Sequence, residues 1–333
     1  MARLLPLALL VAGPALADVG YLDTAIRVDH RDVPLPLHLW YPAEPGAAAA
    51  SVGRNAMFVG APAHPGARPL DEPAPVVLLS HGSGGNAVGL GWIAVALAGR
   101  GMIVAAPNHP GTTSRDSIPA RTVMPWERAW DFTAVLDHLE RDPPAGLVPD
   151  TERVAALGFS LGGHTALRLM GARVSKAAFV EHCRGNDELD CGWLTEGGVD
   201  LGAIDAPLYE GQDGDARVDA AVAVDPALAA AYVSTGLAAI EAPVLLVSLG
   251  APGAIPPGLD VEPVADALPN ALHHHVEGAV HFSFLGACRP LGKLVIGALA
   301  EEPICRDPGR PRREIQRELE VVIGDFLQRS LAP

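Results

Sequence analysis

Six short apolar runs, separated by segments with helical spacing, constrain the fold of this chain more than any other feature. The runs are Val76 to Leu79, Met102 to Ala106, Val154 to Leu157, Ala220 to Val224, Val244 to Leu249 and Leu272 to Val276. They do not alternate between apolar and polar, which suits strands covered on both faces. Between them, apolar spacing predicts helices over Val88 to Ala98, Trp126 to Leu139, Leu161 to Met170 and Ala227 to Leu237, with stops at Gly99, Pro143-Pro144 and Gly171. A last helix from about Arg313 to Leu327 sets Ile315, Leu319, Val322 and Phe326 on one face. Alternating strands and helices predict an α/β fold, a mostly parallel central sheet with helices on both faces.

Two stretches break this rhythm. Thr24 to Val28 and Leu35 to Tyr41 read as an opening hairpin, and the Ala/Pro/Gly-rich residues 43–75 as a long surface connection without secondary structure. Residues 176–217 carry Cys183, Cys191, Trp193 and several acids with no clear period. They read as a small, loop-like cap insertion stapled by a disulfide.

At the N-terminus, Arg3 precedes an apolar run from Leu4 to Val11 and then Ala15-Leu16-Ala17. That is the pattern of a cleavable signal peptide, so residues 1–17 are expected to be removed and 18–333 to form the α/β domain. The run is too short to span a bilayer, and no later stretch reaches the length of a membrane helix. A periplasmic or secreted product is expected. In an oxidising compartment the four cysteines form an even set, and the sequence-local pairs Cys183–Cys191 and Cys288–Cys305 are the simplest of three connectivities. No C-x-x-C or H-x-x-x-H spacing accompanies them to suggest zinc. With 24 Lys+Arg against 39 Asp+Glu the net charge is −15, so the basic surface that nucleic acid requires is missing.

Gly158-Phe159-Ser160-Leu161-Gly162 is a G-x-S-x-G pentapeptide lying between a predicted strand and a predicted helix. In that setting flanking glycines let the chain turn sharply and present the serine hydroxyl at the strand's C-terminal end, which makes Ser160 a candidate nucleophile. A hydroxyl needs a base to take its proton and an acid to hold that base. His281, in the loop after the last apolar run, is the best base. His273, His274 and His275 alternate between strand faces, which argues against one metal or catalytic role for all three. His164 reads as packing behind the elbow, and His81 and His109 as neighbours of the site. For the acid, Asp225 directly follows a strand run and is favoured over Asp260, which lies in a Gly/Pro loop. Charge developing on an attacked carbonyl needs fixed N–H donors. Leu161, opening the helix, and Ser83, in His81-Gly82-Ser83-Gly84-Gly85, are placed to supply them.

His81-Gly82-Ser83-Gly84, Gly101 to Ala106 leading to Asn108-His109, Gly158-x-Ser160-x-Gly162-Gly163, Ala223-Val224-Asp225 and Gly278-Ala279-Val280-His281-x-x-Phe284 together resemble a known family. The sequence is similar, from about Val76 to Phe284, to the α/β-hydrolases of the platelet-activating-factor acetylhydrolase group and the neighbouring bacterial predicted dienelactone hydrolases. The resemblance implies a Ser160, Asp225, His281 triad, with Ser83 and Leu161 as the oxyanion hole. Dienelactone hydrolases proper use cysteine where this chain has Ser160, so their activity is not implied.

The expectation is a serine hydrolase acting on small-molecule or lipid-like carboxylic esters, without metal or organic cofactor. A peptidase or amidase could use the same triad, and a catalytically silent binding protein could share the fold. Trp92, Trp126, Trp130 and Trp193 are candidates for an acyl pocket, although aromatics at helical spacing more often belong to a core.

Overall fold

The apolar runs become the parallel half of a ten-stranded sheet in a computed structural model, which describes residues 18–292 and 304–333. The expected signal peptide, residues 1–17, lies outside the described residues. The strands are β1 (Asp18–Ile26), β2 (Leu35–Ala43), β3 (Ala50–Val52), β4 (Ala61–Pro65), β5 (Ala74–Ser80), β6 (Ile103–Pro107), β9 (Pro149–Phe159), β10 (Val218–Val224), β11 (Val244–Ser248) and β12 (Ala271–His275), while β7 (Thr112–Thr113) and β8 (Asp116–Ser117) form a separate ribbon. Across the sheet the order is β12-β11-β10-β9-β5-β6-β2-β1-β4-β3. From β6 to β12 neighbouring strands run parallel, and β2 joins β6 and β1 antiparallel.

Both faces of the parallel half are covered from β6 to β11, which is why those strands need no polar side; the edge strand β12 departs from the expectation, with His273 to His275 only partly buried and Leu272 exposed. On β5, Val76 and Leu78 pack into one core while Val77 and Leu79 pack into another. The first core is closed by α3 (Trp126–Arg141) and α4 (Leu161–Leu169), the second by α1 (Gly91–Ala98) and α10 (Arg312–Ser330). On α10 the apolar stripe buries Ile315, Leu319, Ile323 and Phe326. Among the described residues no helix is long and apolar enough to cross a membrane.

Three expectations are corrected. Residues 43–75 contain β3 and β4, short strands near the sheet's far edge, where prolines such as Pro62 and Pro65 are tolerated because few ladder donors are needed. Ala227 to Leu237 is not one helix: Leu228 has φ +63°, Ala229–Ala231 forms a single 3₁₀ turn, and only Ser234–Leu237 (α8) is helical. Residues 176–217 are not loop-like throughout. They hold α5 (Lys176–His182), α6 (Leu189–Glu196) and α7 (Ala206–Tyr209), each about one or two turns, and α5 and α7 are capped by the Ser175 and Asp205 side chains. Helices this short leave no readable period. Two more one- or two-turn helices, α2 (Pro119–Thr122) and α9 (Glu262–Ala267), lie in connections.

Candidate active site

Ser160 stands alone between the end of β9 and the start of α4, with φ 56° and ψ −123°. A non-glycine residue held there costs ~1–3 kcal/mol, which the surroundings must offset. Its N–H donates to Val224 O at 2.9 Å, and its carbonyl accepts from the N–H groups of Ala227 at 3.0 Å and His164 at 3.1 Å. The flanking glycines are sterically required. A Cβ on Gly158 would lie 1.9 Å from Gly162 O, and one on Gly162 would lie 2.1 Å from Ser80 O. The described residues include four non-glycine positions with positive φ, and three of them, Ser160, Asp225 and Leu228, fall here.

Asp225 leaves the end of β10 with φ 39°. Its N–H donates to Val247 O at 2.8 Å, and its Oδ1 accepts the Leu249 N–H at 2.8 Å. Oδ2 accepts from His281 Nδ1 at 3.0 Å. Both side chains are shielded, with relative exposures of 2% for Asp225 and 13% for His281. The imidazole lies in the 3₁₀ turn His281–Phe284 beyond β12, its ring centre 4.6 Å from that of Phe159. Asp260, the competing acid, is engaged elsewhere: its Oδ1 accepts the Glu262 N–H at 3.1 Å.

The other histidines separate cleanly. His164 is buried on α4 against Tyr232, with Nδ1 3.0 Å from the hydroxyl, and burial, aided by the nearby Arg168, holds it well below the ordinary imidazole range. His274 meets Glu318 at 2.9 Å, while His273 and His275 share the other face of β12.

Behind the glycine-rich loop lies a polar network that the sequence did not reveal. His81 Nε2 accepts the His109 N–H at 3.2 Å, so the ring proton sits on Nδ1, which donates to Gly82 O at 2.7 Å. That carbonyl also accepts the Gly85 N–H at 3.0 Å. With C=O fixed from two sides, the trans peptide turns the Ser83 N–H the opposite way. The buried Arg128 donates to His81 O at 2.6 Å and Ser80 Oγ at 3.2 Å. Asp131 accepts from His109 Nδ1, His30 Nε2 and Arg31. Burial opposes its ionisation, yet those donors hold the carboxyl well below the usual range. Burial and then Arg128 lower His109 to about 4 and keep His81 well below its ordinary value. The missed signal is the register of α3. Arg128 and Asp131 occupy the same buried stripe as Phe132, Val135 and Leu139, where charge has no place without partners.

A cavity of about 310 Å³ opens onto Ser160, His281, Ser83 and Leu161. Its walls include Phe179 from α5 and Trp193 and Leu194 from α6, so residues 176–217 supply part of its lining. Trp193 is the one expected tryptophan lining it. Trp126 is buried in the core beneath, Trp92 donates to Phe284 O, and Trp130 donates to Asp213. Among the described residues that line the cavity there is no Lys, Arg, Asp or Glu. The pairs Cys183–Cys191 and Cys288–Cys305 are disulfide-bonded, with Cα separations of 5.2 and 5.9 Å.

No protein-family model matches the chain, and no curated protein does. Solved structures are similar. A ferulic acid esterase from Streptomyces cinnamoneus is 22% identical, with a TM-score of 0.63 over 96% of this chain and 91% of that one. A dienelactone hydrolase from Anabaena variabilis ATCC 29413 is 18% identical, with a TM-score of 0.49 over 93% of this chain and 99% of that one. The strand order, the sharp strand-to-helix turn at Ser160 and the likeness to the esterase identify the fold as that of the α/β-hydrolases.

Proposed function

We propose that this chain is an exported serine hydrolase that cleaves carboxylic esters through an acyl-serine intermediate. The observation that carries the reading is the contact between Asp225 Oδ2 and His281 Nδ1, made beside the strained Ser160 turn. It fixes the proton on Nδ1 and leaves Nε2 as a base. In the proposed cycle Nε2 takes the Ser160 proton as Oγ bonds to the ester carbonyl carbon. The resulting oxyanion is held by the N–H of Ser83 and that of Leu161, a first-turn donor without an intrahelical acceptor. The C–O bond then breaks, His281 returns the proton to the departing alcohol, and a water activated by the same imidazole releases the acid.

The uncharged walls support an apolar acyl group over a charged one, and the esterase among the fold neighbours supports ester over amide substrates. Two disulfides, together with the expected leader sequence, support export.

A fluorophosphonate probe tests the core claim. It is expected to add once to the folded chain, on Ser160, and Ser160→Ala is expected to abolish the adduct. Nitrophenyl esters of increasing acyl length, run beside one anilide, then measure ester preference. A folded wild-type chain that takes no label would favour a silent binding protein, and faster anilide cleavage an amidase.

A further inference from the structure

His273 and His275 sit two residues apart on β12, the edge strand, and turn to the same face, their ring centres 4.2 Å apart. Glu262, the first residue of α9, reaches both rings. Its Oε1 is 3.1 Å from His275 Nε2, and its Oε2 is 3.7 Å from His273 Nδ1. One donor atom from each residue lies within 4.8 Å of the other two. Tetrahedral bonds of ~2.0–2.1 Å to zinc set neighbouring ligands roughly 3.3 Å apart, a spacing these side chains reach with small rotations.

We propose that Glu262, His273 and His275 bind a divalent cation of the zinc class, with water as the fourth ligand. Two imidazoles and one carboxylate form a mixed N/O set that suits zinc and its borderline neighbours, whereas calcium and magnesium select oxygen donors. A ligating imidazole needs its second nitrogen held from behind, and His273 Nε2 has Ser248 Oγ at 2.9 Å on the adjoining strand β11. His275 Nδ1 is buried without a hydrogen-bond partner among the described residues. Lacking that outer contact, the site is expected to bind ~10–100-fold more weakly than a fully braced one. Glu262, about half exposed, leaves an entry path for the ion.

The position gives the ion a structural role. It would tie the end of β12, six residues before His281, to the connection that begins at Leu249, whose N–H fixes Asp225. The ion takes no part in the proposed ester cleavage, so its binding can fail while that reading stands, and the reverse.

Calorimetric titration of zinc chloride into the untagged full chain, stripped with chelator and exchanged into buffer, tests the site. One ion per chain is expected. Glu262→Gln and His275→Gln should each weaken binding at least ~10-fold, the lower end of the loss seen when only an outer partner is removed. His274→Gln, on the opposite face, should bind as wild type. Zinc should raise the melting temperature of the wild type and of His274→Gln but not of Glu262→Gln, an exposed conservative change that leaves the fold intact. Cobalt(II) should give visible bands of four-coordinate intensity in the wild type and lose them in Glu262→Gln. The proposal is overturned if wild type takes up no ion at millimolar zinc, or if Glu262→Gln and His275→Gln bind as tightly as it does.

Discussion

A carboxylate orients an imidazole only if its own rotation is prevented, and Asp225 meets that condition with both oxygens. Oδ1 is occupied by the Leu249 N–H and Oδ2 by His281. An asparagine at this position has one acceptor for two donors, so either the loop contact or the imidazole contact must face an NH₂ group. Asp225→Asn is therefore expected to lower kcat by as much as ~10⁴, the fall that accompanies the same change in a serine-protease triad. Asp260→Asn should do little, because its carboxylate only holds the turn before α9. Steady-state kinetics of the two variants would show the acid to be misassigned if their order were reversed. The placement of Ser160, Asp225 and His281 beyond the C-terminal ends of strands was legible in the sequence because each directly follows, or lies just beyond, a strand run. Arg128 and Asp131 were not, because charged residues on an amphipathic helix are ordinarily read as its wet face. Only their register with Phe132 and Val135 betrays them.

At the scale of elements, residues 176–217 give the cavity three of its walls, Phe179, Trp193 and Leu194. α5 and α6 are too short to be stable alone, so their positions depend on caps, on contacts with the body of the protein, and on the Cys183–Cys191 bond that joins them. Closing a loop this small is worth about 2–3 kcal/mol of chain entropy, released locally when the bond is cut. Replacing both Cys183 and Cys191 by serine is thus expected to raise KM for long-acyl esters several-fold while leaving kcat nearly unchanged. The walls given by Phe179, Trp193 and Leu194 loosen, whereas the strand-end residues do not. Replacing Cys288 and Cys305 instead should leave KM alone, since neither lines the cavity. A KM–kcat split measured on the two double variants checks this. The cysteine pairing could be read from spacing because short loops close most easily. The helices between could not, since one or two turns carry too few residues to set a period, and the 3₁₀ turn after Leu228 obeys a backbone strain that composition does not encode.

For the molecule as a whole, the buried histidines and the proposed base His281 make different demands on pH. His81, His109 and His164 are fully buried, and burial, with Arg128 or Arg168 adding to it, keeps them neutral far below their unfolded value of ~6.5. For His109 the folded value is about 4. Between that value and ~6.5 the unfolded chain binds more protons than the folded one, so stability is full above that window and is lost as pH falls through it. Asp131, held ionised by its partners, adds its own loss at still lower pH. Urea midpoints measured from pH 7 down to pH 4 are expected to fall steadily. His164→Ala should flatten the slope by at most about 1.4 kcal/mol per pH unit, the share of one proton, whatever its cost in absolute stability. Turnover should behave otherwise. Acylation needs a neutral base, so kcat/KM should rise with pH through one ionisation under conditions where the chain is fully folded. That limb should survive His164→Ala, whose histidine is already neutral there. His281→Ala should abolish turnover. If instead His164→Ala removed the limb while His281→Ala kept near-wild-type activity, the base would lie on the helix behind the elbow, and the turn after β12 would be structural.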